Sequence, residues 1–227
     1  NCVKFSNNRN MLQMRHVYKT YTSDRHVLRD LNFETEKSGL YLIKGESGSG
    51  KTTLFKLLTA MSKPTSGEIK FKNWAISSLT PNQIAEFRKS VGIVFQDFKL
   101  IPDITIFENI ALPLVIQKKS AAEIKKSVFD ISEQLNLTEY LNDYPEHISG
   151  GQQQKSAVAR ALITNPKLII ADEPTGNLDP QNSSETLRIL STYAEKGALI
   201  LVATHDQNLL NQFSNQVLTL NKGQLTA

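Results

Sequence analysis

The segment Gly45–Thr52, GESGSGKT, is the strongest chemical motif in this chain of 227 residues. It fits the pattern G-x-x-x-x-G-K-[ST] and lies between a strand-like run, GLYLIKG, and a helix-like run, KTTLFKLLTAM. The glycines allow successive backbone N–H groups to surround a phosphate. Lys51 places a positive charge at the β- and γ-phosphates, and the Thr52 hydroxyl can ligate Mg²⁺. The motif therefore predicts a nucleoside triphosphate site rather than a chance Gly/Ser loop.

Asp172 and Glu173 follow the apolar run Leu168–Ala171 and form a second candidate group. Successive strand residues point to opposite faces, but the turn at Pro174 can re-aim the second carboxylate as the strand ends. Asp172 would then hold Mg²⁺, directly or through water, and Glu173 would act as general base on the attacking water. An acidic pair at a strand end is more often a solvated cap, yet the phosphate loop favours the catalytic interpretation.

Three further side chains lie where they can contribute to the same site. We predict that Gln96 ends the strand VGIVFQ, where its amide can contact both Mg²⁺ and the attacking water. His205 follows the run ALILVAT and can donate to a γ-phosphate, because parallel sheets bind ligands at the carboxyl ends of their strands. Tyr21 precedes the phosphate loop and can stack on a base. Each signal is weak alone, since a strand-end Gln is usually surface and a lone aromatic is usually packing.

A second anion-binding pattern, ISGGQQQKSAVARAL, spans Ile148–Leu162. Ser149, Gly150 and Gly151 stand directly before a helix-like run, so backbone N–H groups and the positive end of a helix dipole face the same point. The chain therefore contains two predicted phosphate-binding motifs in widely separated segments.

Composition indicates an ordinary globular chain, long enough for one large domain with a subdomain. Its apolar runs, such as Ile110–Ile116, stop short of the roughly 18 residues of a membrane span, and no segment has the pattern of a signal peptide. The net charge of +4 is spread along the chain, which favours a solvated surface over nucleic-acid binding. The one cysteine, Cys2, excludes an internal disulfide. It lies in residues 1–10, which we interpret as a flexible N-terminus or a cloning remnant.

Strand-like and helix-like runs alternate along most of the chain, which predicts an α/β fold around a mostly parallel sheet. LQMRHVYKTY and HVLRDLNFET alternate in polarity, as antiparallel strands do. From about Phe98 to Ile163 no run is typical of a strand. SAAEIKKSVFDISEQLN and GGQQQKSAVARALITN have helical spacing instead, the first with a Ser120–Glu123 capping box. We therefore predict a helical subdomain inserted into the sheet domain.

In their order along the chain, these motifs resemble those of the ATP-binding cassette (ABC) family, over nearly the whole chain from about Met11. Tyr21 matches the adenine-stacking aromatic, Gly45–Thr52 the Walker A loop and Gln96 the Q-loop glutamine. Ser149–Gln152 matches the signature motif and Leu168–Glu173 the Walker B strand. Gly176–Asp179 matches the D-loop and His205 the switch histidine. The resemblance implies a P-loop NTPase (RecA-like) core, an antiparallel β subdomain and an inserted helical subdomain. A single ABC ATPase domain is expected at 11–227, with core and β subdomain at about 11–96 and 166–227 and the helical subdomain at about 97–165.

The resemblance also implies the site residues. ATP would be bound by Tyr21, Gly45, Glu46, Ser47, Gly48, Ser49, Gly50, Lys51, Thr52, Thr53, Ser149, Gly150, Gly151, Gln152 and Asp179. Catalysis would use Lys51, Gln96, Glu173 and His205, and Mg²⁺ would be held by Thr52, Gln96 and Asp172.

Two cassettes of this family pack head to tail, so that the signature helix of one covers the γ-phosphate held by the Walker A loop of the other. This arrangement explains why one chain contains both phosphate-binding motifs. The expected partners are a second copy of the chain and an integral, permease-like membrane subunit of the FtsX, LolC/E or MacB type, with no nucleic acid. The chain would then lie in the cytoplasm, peripheral on the inner face of the cell membrane through that subunit.

Within the family, VGIVFQDFKLIPDITIFENIALPL and ADEPTGNLD resemble the FtsE/LolD/MacB subgroup, which serves cell division, lipoprotein release and macrolide export. FQDFKLIPD favours the FtsE type. Ile148 stands where the family usually has Leu, and Lys155 where it usually has Arg. Because Lys lacks the bidentate fork of Arg, the contacts of the signature helix are expected to differ.

The apolar residues after Gln96 predict a docking surface. By resemblance, a groove here receives a short helix of the membrane subunit, and part of this set is expected to remain exposed: Phe98, Leu100, Ile101, Ile104, Ile106 and Phe107.

Two alternatives stay open at the level of sequence. A soluble ABC ATPase acting in DNA repair or on the ribosome usually has two cassettes or a long coiled-coil insert, and the segment between Gln96 and Ser149 is too short for that insert. A module that binds ATP without hydrolysing it is disfavoured by Glu173 and His205.

Overall fold

The structure is a computed structural model that describes residues 11–21, 26–176, 178–212 and 216–226. Cys2, with the rest of residues 1–10, and Asn177 of the predicted D-loop lie outside the described residues. The strands are β1 Leu12–Thr20, β2 His26–Thr35, β3 Gly39–Lys44, β4 Ser66–Phe71, β5 Trp74–Ala75, β6 Val91–Val94, β7 Leu168–Asp172, β8 Leu199–Ala203, β9 Val217–Asn221 and β10 Gln224–Thr226. The α-helices are α1 Lys51–Leu58, α2 Pro81–Arg88, α3 Ile106–Ile116, α4 Ala121–Gln134, α5 Gly150–Leu162, α6 Pro180–Glu195 and α7 Gln207–Gln212.

The strands form two sheets. A six-stranded sheet has the order β10-β9-β3-β8-β7-β6, in which β9 through β6 are parallel and β10 returns along β9 as an antiparallel hairpin. A four-stranded antiparallel sheet has the order β2-β1-β4-β5. The α/β fold with a mostly parallel sheet and an N-terminal antiparallel sheet is therefore confirmed.

The parallel sheet is covered on both faces, which explains the unbroken apolar sequences of its central strands. Along β7, Ile169 and Ala171 pack into a core formed largely with α3, α4, α5 and α6. The alternate residues, Leu168 and Ile170, pack into a second core with α1 and the antiparallel sheet. Because the strand has a repeat of two residues, one short strand contributes to both cores.

Between β6 and β7 every residue is described, and this stretch contains helices but no strand. The predicted capping box at the start of α4 is confirmed, since the Ser120 hydroxyl accepts from the Glu123 N–H and the Glu123 carboxylate accepts from the Ser120 N–H. Of the helices in the described residues, none is both long and apolar enough to cross a membrane.

The prediction that Gln96 ends a strand is wrong. Strand β6 leaves its pairing with β7 after Val94, which lies opposite Ala171. The Phe98 N–H then bonds to the Phe95 carbonyl at 3.1 Å, so the chain turns locally instead of continuing along the sheet. Gln96 therefore lies in a loop beyond the strand.

Candidate functional site

The phosphate loop Gly45–Thr52 connects the end of β3 to the start of α1. Two of its glycines are required by close contacts. A Cβ at Gly45 would lie 2.4 Å from the Leu220 carbonyl oxygen on β9, and Gly50 has a left-handed φ of 111° with Leu28 Cδ2 2.7 Å from its Cβ position. The loop is thus pressed against neighbouring strands, and only glycine fits at these two points.

The first turn of α1 offers backbone donors to an anion. Its N-cap, Gly50, supplies no side-chain cap, and the first turn contains no acidic residue. Lys51 Nζ donates to the Gly45 carbonyl at 2.6 Å and to the Glu46 carbonyl at 3.2 Å. The ammonium therefore lies within the loop itself, at the positive end of the helix dipole.

Thr52 and Asp172 bring the loop and β7 together. The Thr52 hydroxyl donates to Asp172 Oδ2 at 3.1 Å. Burial raises the pKa of the Asp172 carboxyl above its ordinary value, although the Thr52 hydrogen bond and the charge of Lys51 act in the opposite direction. A partly buried carboxylate beside a hydroxyl and the Gln96 amide is a set of oxygen ligands of the kind that Mg²⁺ takes. The residues present therefore fit this metal.

Glu173 is re-aimed by its own backbone. Its φ of 50° is left-handed, which is uncommon for a residue with a long side chain. Its N–H bonds to the Ala203 carbonyl on β8 at 3.0 Å, so the residue stays attached to the sheet edge. Its carboxylate Oε1 lies 2.9 Å from Nδ1 of His205. Glu173 is 13% exposed and His205 79% exposed, so the pair has an inner acid and an outer imidazole.

These side chains line one open cavity of about 780 Å³. The predicted residues that it brings together are Tyr21, Gly45, Glu46, Ser47, Gly48, Gly50, Lys51, Thr52, Thr53, Gln96, Asp172, Glu173 and His205. Ser49 is not in this lining and is buried within the loop. Tyr21 is about half exposed, and Lys19 Nζ lies 5.0 Å from its ring centroid.

Two lining residues, Val27 and Lys56, were not predicted from the sequence. Lys56 is four residues after Thr52 on α1, so the helical repeat could have placed it on the same face. Val27 comes from β2, and its Cγ1 lies 3.5 Å from the Cβ position of Gly50, so the packing of the antiparallel sheet against the phosphate loop brings it to the cavity.

A second cavity, of about 690 Å³, lies at the start of α5. Its lining includes the predicted Ser149, Gly150, Gly151, Gln152 and Asp179. Among the residues that the structure describes, the two cavities share no lining residue. The two phosphate-binding motifs of one chain therefore form separate surfaces.

The start of α5 is ordered by a capping box. The Ser149 hydroxyl accepts from the Gln152 N–H at 3.3 Å, and the Gln152 Oε1 accepts from the Ser149 N–H at 2.7 Å. Asp179 caps α6 in a similar way, and the hydrogen bonds from Asn182 lower the pKa of its carboxyl. Both motifs thus present the beginnings of helices to one cavity.

Lys155, whose contacts were expected to differ from those of an arginine, lies beside α6. Its side chain is 12% exposed, and Nζ lies 3.7 Å from Oε2 of Glu185 on α6. The cation therefore connects the signature helix to the helix that follows Asp179.

The expected docking residues after Gln96 differ in burial, and Phe98 and Ile104 are partly buried. Ile106 is fully buried, and Leu100 and Phe107 pack against the core, so these three mainly stabilise the helical region. Ile101 is 39% exposed. A groove of about 230 Å³ lies between α2, β6, α3 and α5, and Pro113 and Ile116 are part of its lining, whereas none of the expected docking residues is. Part of the predicted set is thus exposed, as expected, at Ile101.

The chain is similar to known cassettes over nearly its full length. The family model described as ABC transporter matches residues 28–176. The chain is 34% identical to the cell division ATP-binding protein FtsE of Bacillus subtilis, covering 94% of this chain and 93% of that protein. It is 35% identical to FtsE of Escherichia coli K12, covering 95% and 97%. Its fold matches a dimeric, post-hydrolysis structure of the ATP-binding cassette MJ0796 bound to ADP and Pi, with a TM-score of 0.88, 33% identity and coverage of 96% and 97%. The chain therefore belongs to the ABC transporter family and is an ATP-binding, ATP-hydrolysing cassette.

Proposed function

We propose that this chain is the nucleotide-binding subunit of an FtsE-type complex, in which hydrolysis of ATP drives a conformational change in a separate membrane protein. The observation that carries the proposal is the first cavity. It places Lys51 and Thr52 of the phosphate loop beside Asp172, Glu173 and His205 of two neighbouring strands. Phosphate-binding, metal-binding and proton-accepting groups thus face one space.

The phosphates are held by the loop amides and Lys51. To reach the β- and γ-phosphates, the ammonium exchanges its hydrogen bonds to the Gly45 and Glu46 carbonyls for bonds to phosphate oxygens. Bound Mg²⁺, ligated by Thr52, Asp172 and Gln96, would offset the negative charge of the phosphates. Tyr21 at the mouth of the cavity stacks on the adenine.

Glu173 orients the attacking water and accepts its proton. The left-handed backbone aims the carboxylate into the cavity, and the 2.9 Å contact with His205 fixes its position. The exposed imidazole lies at the outer side of this pair, where it also reaches a γ-phosphate. Most of the rate enhancement comes from charge stabilisation by the preorganised loop amides and by the Lys51 ammonium.

The second cavity completes the site of another copy. A Cβ at Gly150 would meet no atom of the described residues within 4 Å, and its φ is not left-handed, so nothing described in this chain requires glycine there. A ligand that approaches the helix start closely does require it. Two copies packed head to tail would bring the Ser149 hydroxyl and these amides onto the γ-phosphate held by the other copy.

The membrane partner is proposed from the names of the relatives and from the groove that Pro113 and Ile116 help to line. An FtsX-, LolC/E- or MacB-type integral membrane subunit would insert a short helix there. It would hold the chain at the inner face of the cell membrane. The FtsE relatives favour this assignment over a soluble cassette acting in DNA repair or on the ribosome.

Complementation in trans tests the shared site. A chain with Lys51→Ala and a chain with Ser149→Arg each form homodimers with two broken sites. A mixed dimer has one doubly broken site and one intact site, which combines the Walker A loop of the Ser149→Arg chain with the signature of the Lys51→Ala chain. The mixture should therefore recover part of the hydrolysis rate, whereas two differently tagged Lys51→Ala chains should not. Absence of recovery, with mixed dimers demonstrated by co-purification, would refute independent shared sites.

A further inference from the structure

The loop that contains Gln96 is fastened to the helical region at two places. Strand β6, just before it, belongs to the core sheet and pairs with β7. The residues just after it, from Phe98 onward, bond to side chains of α5 and α3. Gln96 itself is exposed and lines the nucleotide cavity. It therefore lies between a segment fixed to the sheet and a segment fixed to the helices.

Arg160 on α5 makes the first attachment. Its Nη2 donates to the Phe98 carbonyl at 2.6 Å, and its Nη1 donates to the Lys99 carbonyl at 2.7 Å. The guanidinium thus contacts the backbone of the loop with the two parallel donors that distinguish Arg from Lys. Partial burial lowers the pKa of Arg160, and a partly buried cation is costly unless such partners are present.

The residues that Arg160 contacts have an uncommon backbone conformation. Phe98 and Lys99 are both left-handed, with φ of 57° and 50°. This conformation is unfavourable for residues with a Cβ, so it persists only where surrounding contacts impose it. The two carbonyls that Arg160 binds belong to these two residues. Removing the guanidinium would remove the two hydrogen bonds that hold the loop at these left-handed residues.

Asn109 on α3 makes the second attachment. The side chain is fully buried, and its Oδ1 accepts from the Ile101 N–H at 2.7 Å. Its Nδ2 lies within hydrogen-bond distance of the carbonyls of Ile101, Ile104 and Thr105. Residues 98–105 are therefore attached to the helical region at both ends, and Phe95–Asp97 form the short connection to the sheet.

We propose that Arg160 is a positioning residue for Gln96. Arg160 fastens the loop after Gln96 to the signature helix, α5, so that a displacement of this helix moves Gln96 in the nucleotide cavity. Arg160 lies about 15 Å along the helix axis from Gly150. One rigid helix thus connects the surface that contacts the other copy's nucleotide with the loop that contacts this copy's own. The proposal rests on the proposed function, because it takes Gln96 to contact the reacting nucleotide.

The test is a double-mutant cycle of Arg160→Lys and Gln96→Ala. Lysine keeps the charge but cannot bind both carbonyls, so kcat should fall roughly 10-fold or more, as for other small misplacements of a catalytic group. ATP binding, measured by titration with a fluorescent analogue, should stay within about 2-fold, because Arg160 touches none of the cavity. In the Gln96→Ala background, Arg160→Lys should cost little further activity.

The control is Arg88→Lys. Arg88 Nε and Nη2 donate to the carbonyls of Thr59 and Ala60 at 3.2 and 2.9 Å, and Ala60 is also left-handed. The chemical change and the kind of contact match those at Arg160, but the contact lies at the far end of α1. Arg88→Lys should therefore leave kcat unchanged. A thermal melt of each variant checks that a loss of activity is not a loss of folding.

Each outcome decides the proposal. Equal losses from Arg160→Lys in both backgrounds would show that Arg160 acts independently of Gln96 and overturn it. An unchanged rate for Gln96→Ala alone would also remove the proposed role of Gln96. If Arg160→Lys does not fold, hydrogen exchange of the unaltered chain replaces the double-mutant cycle. The backbone amides of residues 98–101 and of α5 should then gain protection from exchange at the same ATP concentrations. Protection of the two segments at different ATP concentrations would refute the connection between them.

Discussion

Replacing Glu173 by Gln isolates the role of the carboxylate as a base. Glutamine has the same length and shape, and its amide oxygen can still accept a hydrogen bond from His205, which lies 2.9 Å from Oε1 in the parent. The left-handed backbone and the bond from the Glu173 N–H to the Ala203 carbonyl are unaffected by the change. The substitution therefore removes proton acceptance and leaves the positions of the neighbouring groups intact.

The expected loss is a factor of roughly 10² to 10⁴ in kcat, the usual contribution of a general base. At about 1.4 kcal/mol per factor of ten, this corresponds to roughly 3 to 5 kcal/mol of transition-state stabilisation. ATP affinity should change little, because Lys51, the loop amides and Thr52 make the phosphate contacts. Steady-state phosphate release and equilibrium ATP binding measure the two quantities separately, and gel filtration with ATP should show an accumulated dimer.

Asp30→Asn is a matched control for this substitution. Asp30 also has a left-handed φ, 49°, and its Oδ1 lies 2.8 Å from Nδ1 of His16, but the pair is on the antiparallel sheet outside both cavities. The same carboxylate-to-amide change there should leave kcat unaltered. A Glu173→Gln enzyme that hydrolyses ATP within a few-fold of the parent would refute the assignment of Glu173 as the base.

Three further predictions concern the metal, the partner and the packing. Since burial raises the pKa of Asp172, its ionisation opposes folding as pH rises through that pKa. Asp172→Asn should therefore raise the melting temperature without Mg²⁺ at neutral pH, by an amount that shrinks towards pH 4, while lowering Mg²⁺-dependent hydrolysis roughly 100-fold. Ile101→Asp, at an exposed position, should weaken co-purification with the membrane subunit more than it weakens hydrolysis by the isolated chain, and equal binding would remove Ile101 from the docking surface. Gly92→Ala would place a Cβ 2.4 Å from the Ala161 carbonyl oxygen, so it should lower the free energy of unfolding in urea by about 1 to 3 kcal/mol. An unchanged midpoint of the urea unfolding curve would contradict this packing.

The regular parts of the fold follow from local patterns. The alternating run His26–Thr35 coincides with β2, and the helical run predicted from Gly150 is α5 at Gly150–Leu162. In both, the period of the apolar residues and the end residues determine the element. Two helices were not predicted. Helix α2 is short and polar, and α3 is apolar along much of its length with Pro113 in its interior, so neither shows a clear helical period.

The parts of the site that belong to one short sequence motif could be predicted from the sequence. The Gly45–Thr52 loop needs only its flanking strand and helix, and both are present. The direction of Glu173 was attributed to the turn at Pro174, whereas the structure locates a left-handed angle at Glu173 itself. The contacts of Arg160 with Phe98 and Lys99 join residues more than sixty positions apart. No local pattern encodes such a contact, because it depends on how α5 lies against the loop.

The separation of the two cavities has a genetic consequence. A two-fold pair of chains either closes both of its sites or closes neither, because each contact is made twice by symmetry. In a cell that makes parental and Ser149→Arg chains in equal amounts, only about a quarter of the pairs would have two parental members. If the membrane partner needs both sites, the altered copy would be dominant over the normal one even though it still binds ATP in its own Walker A loop. An allele with Lys51→Ala alone should show the same dominance, and a cell with only these two altered alleles should not recover, because no pair of their chains has two intact sites.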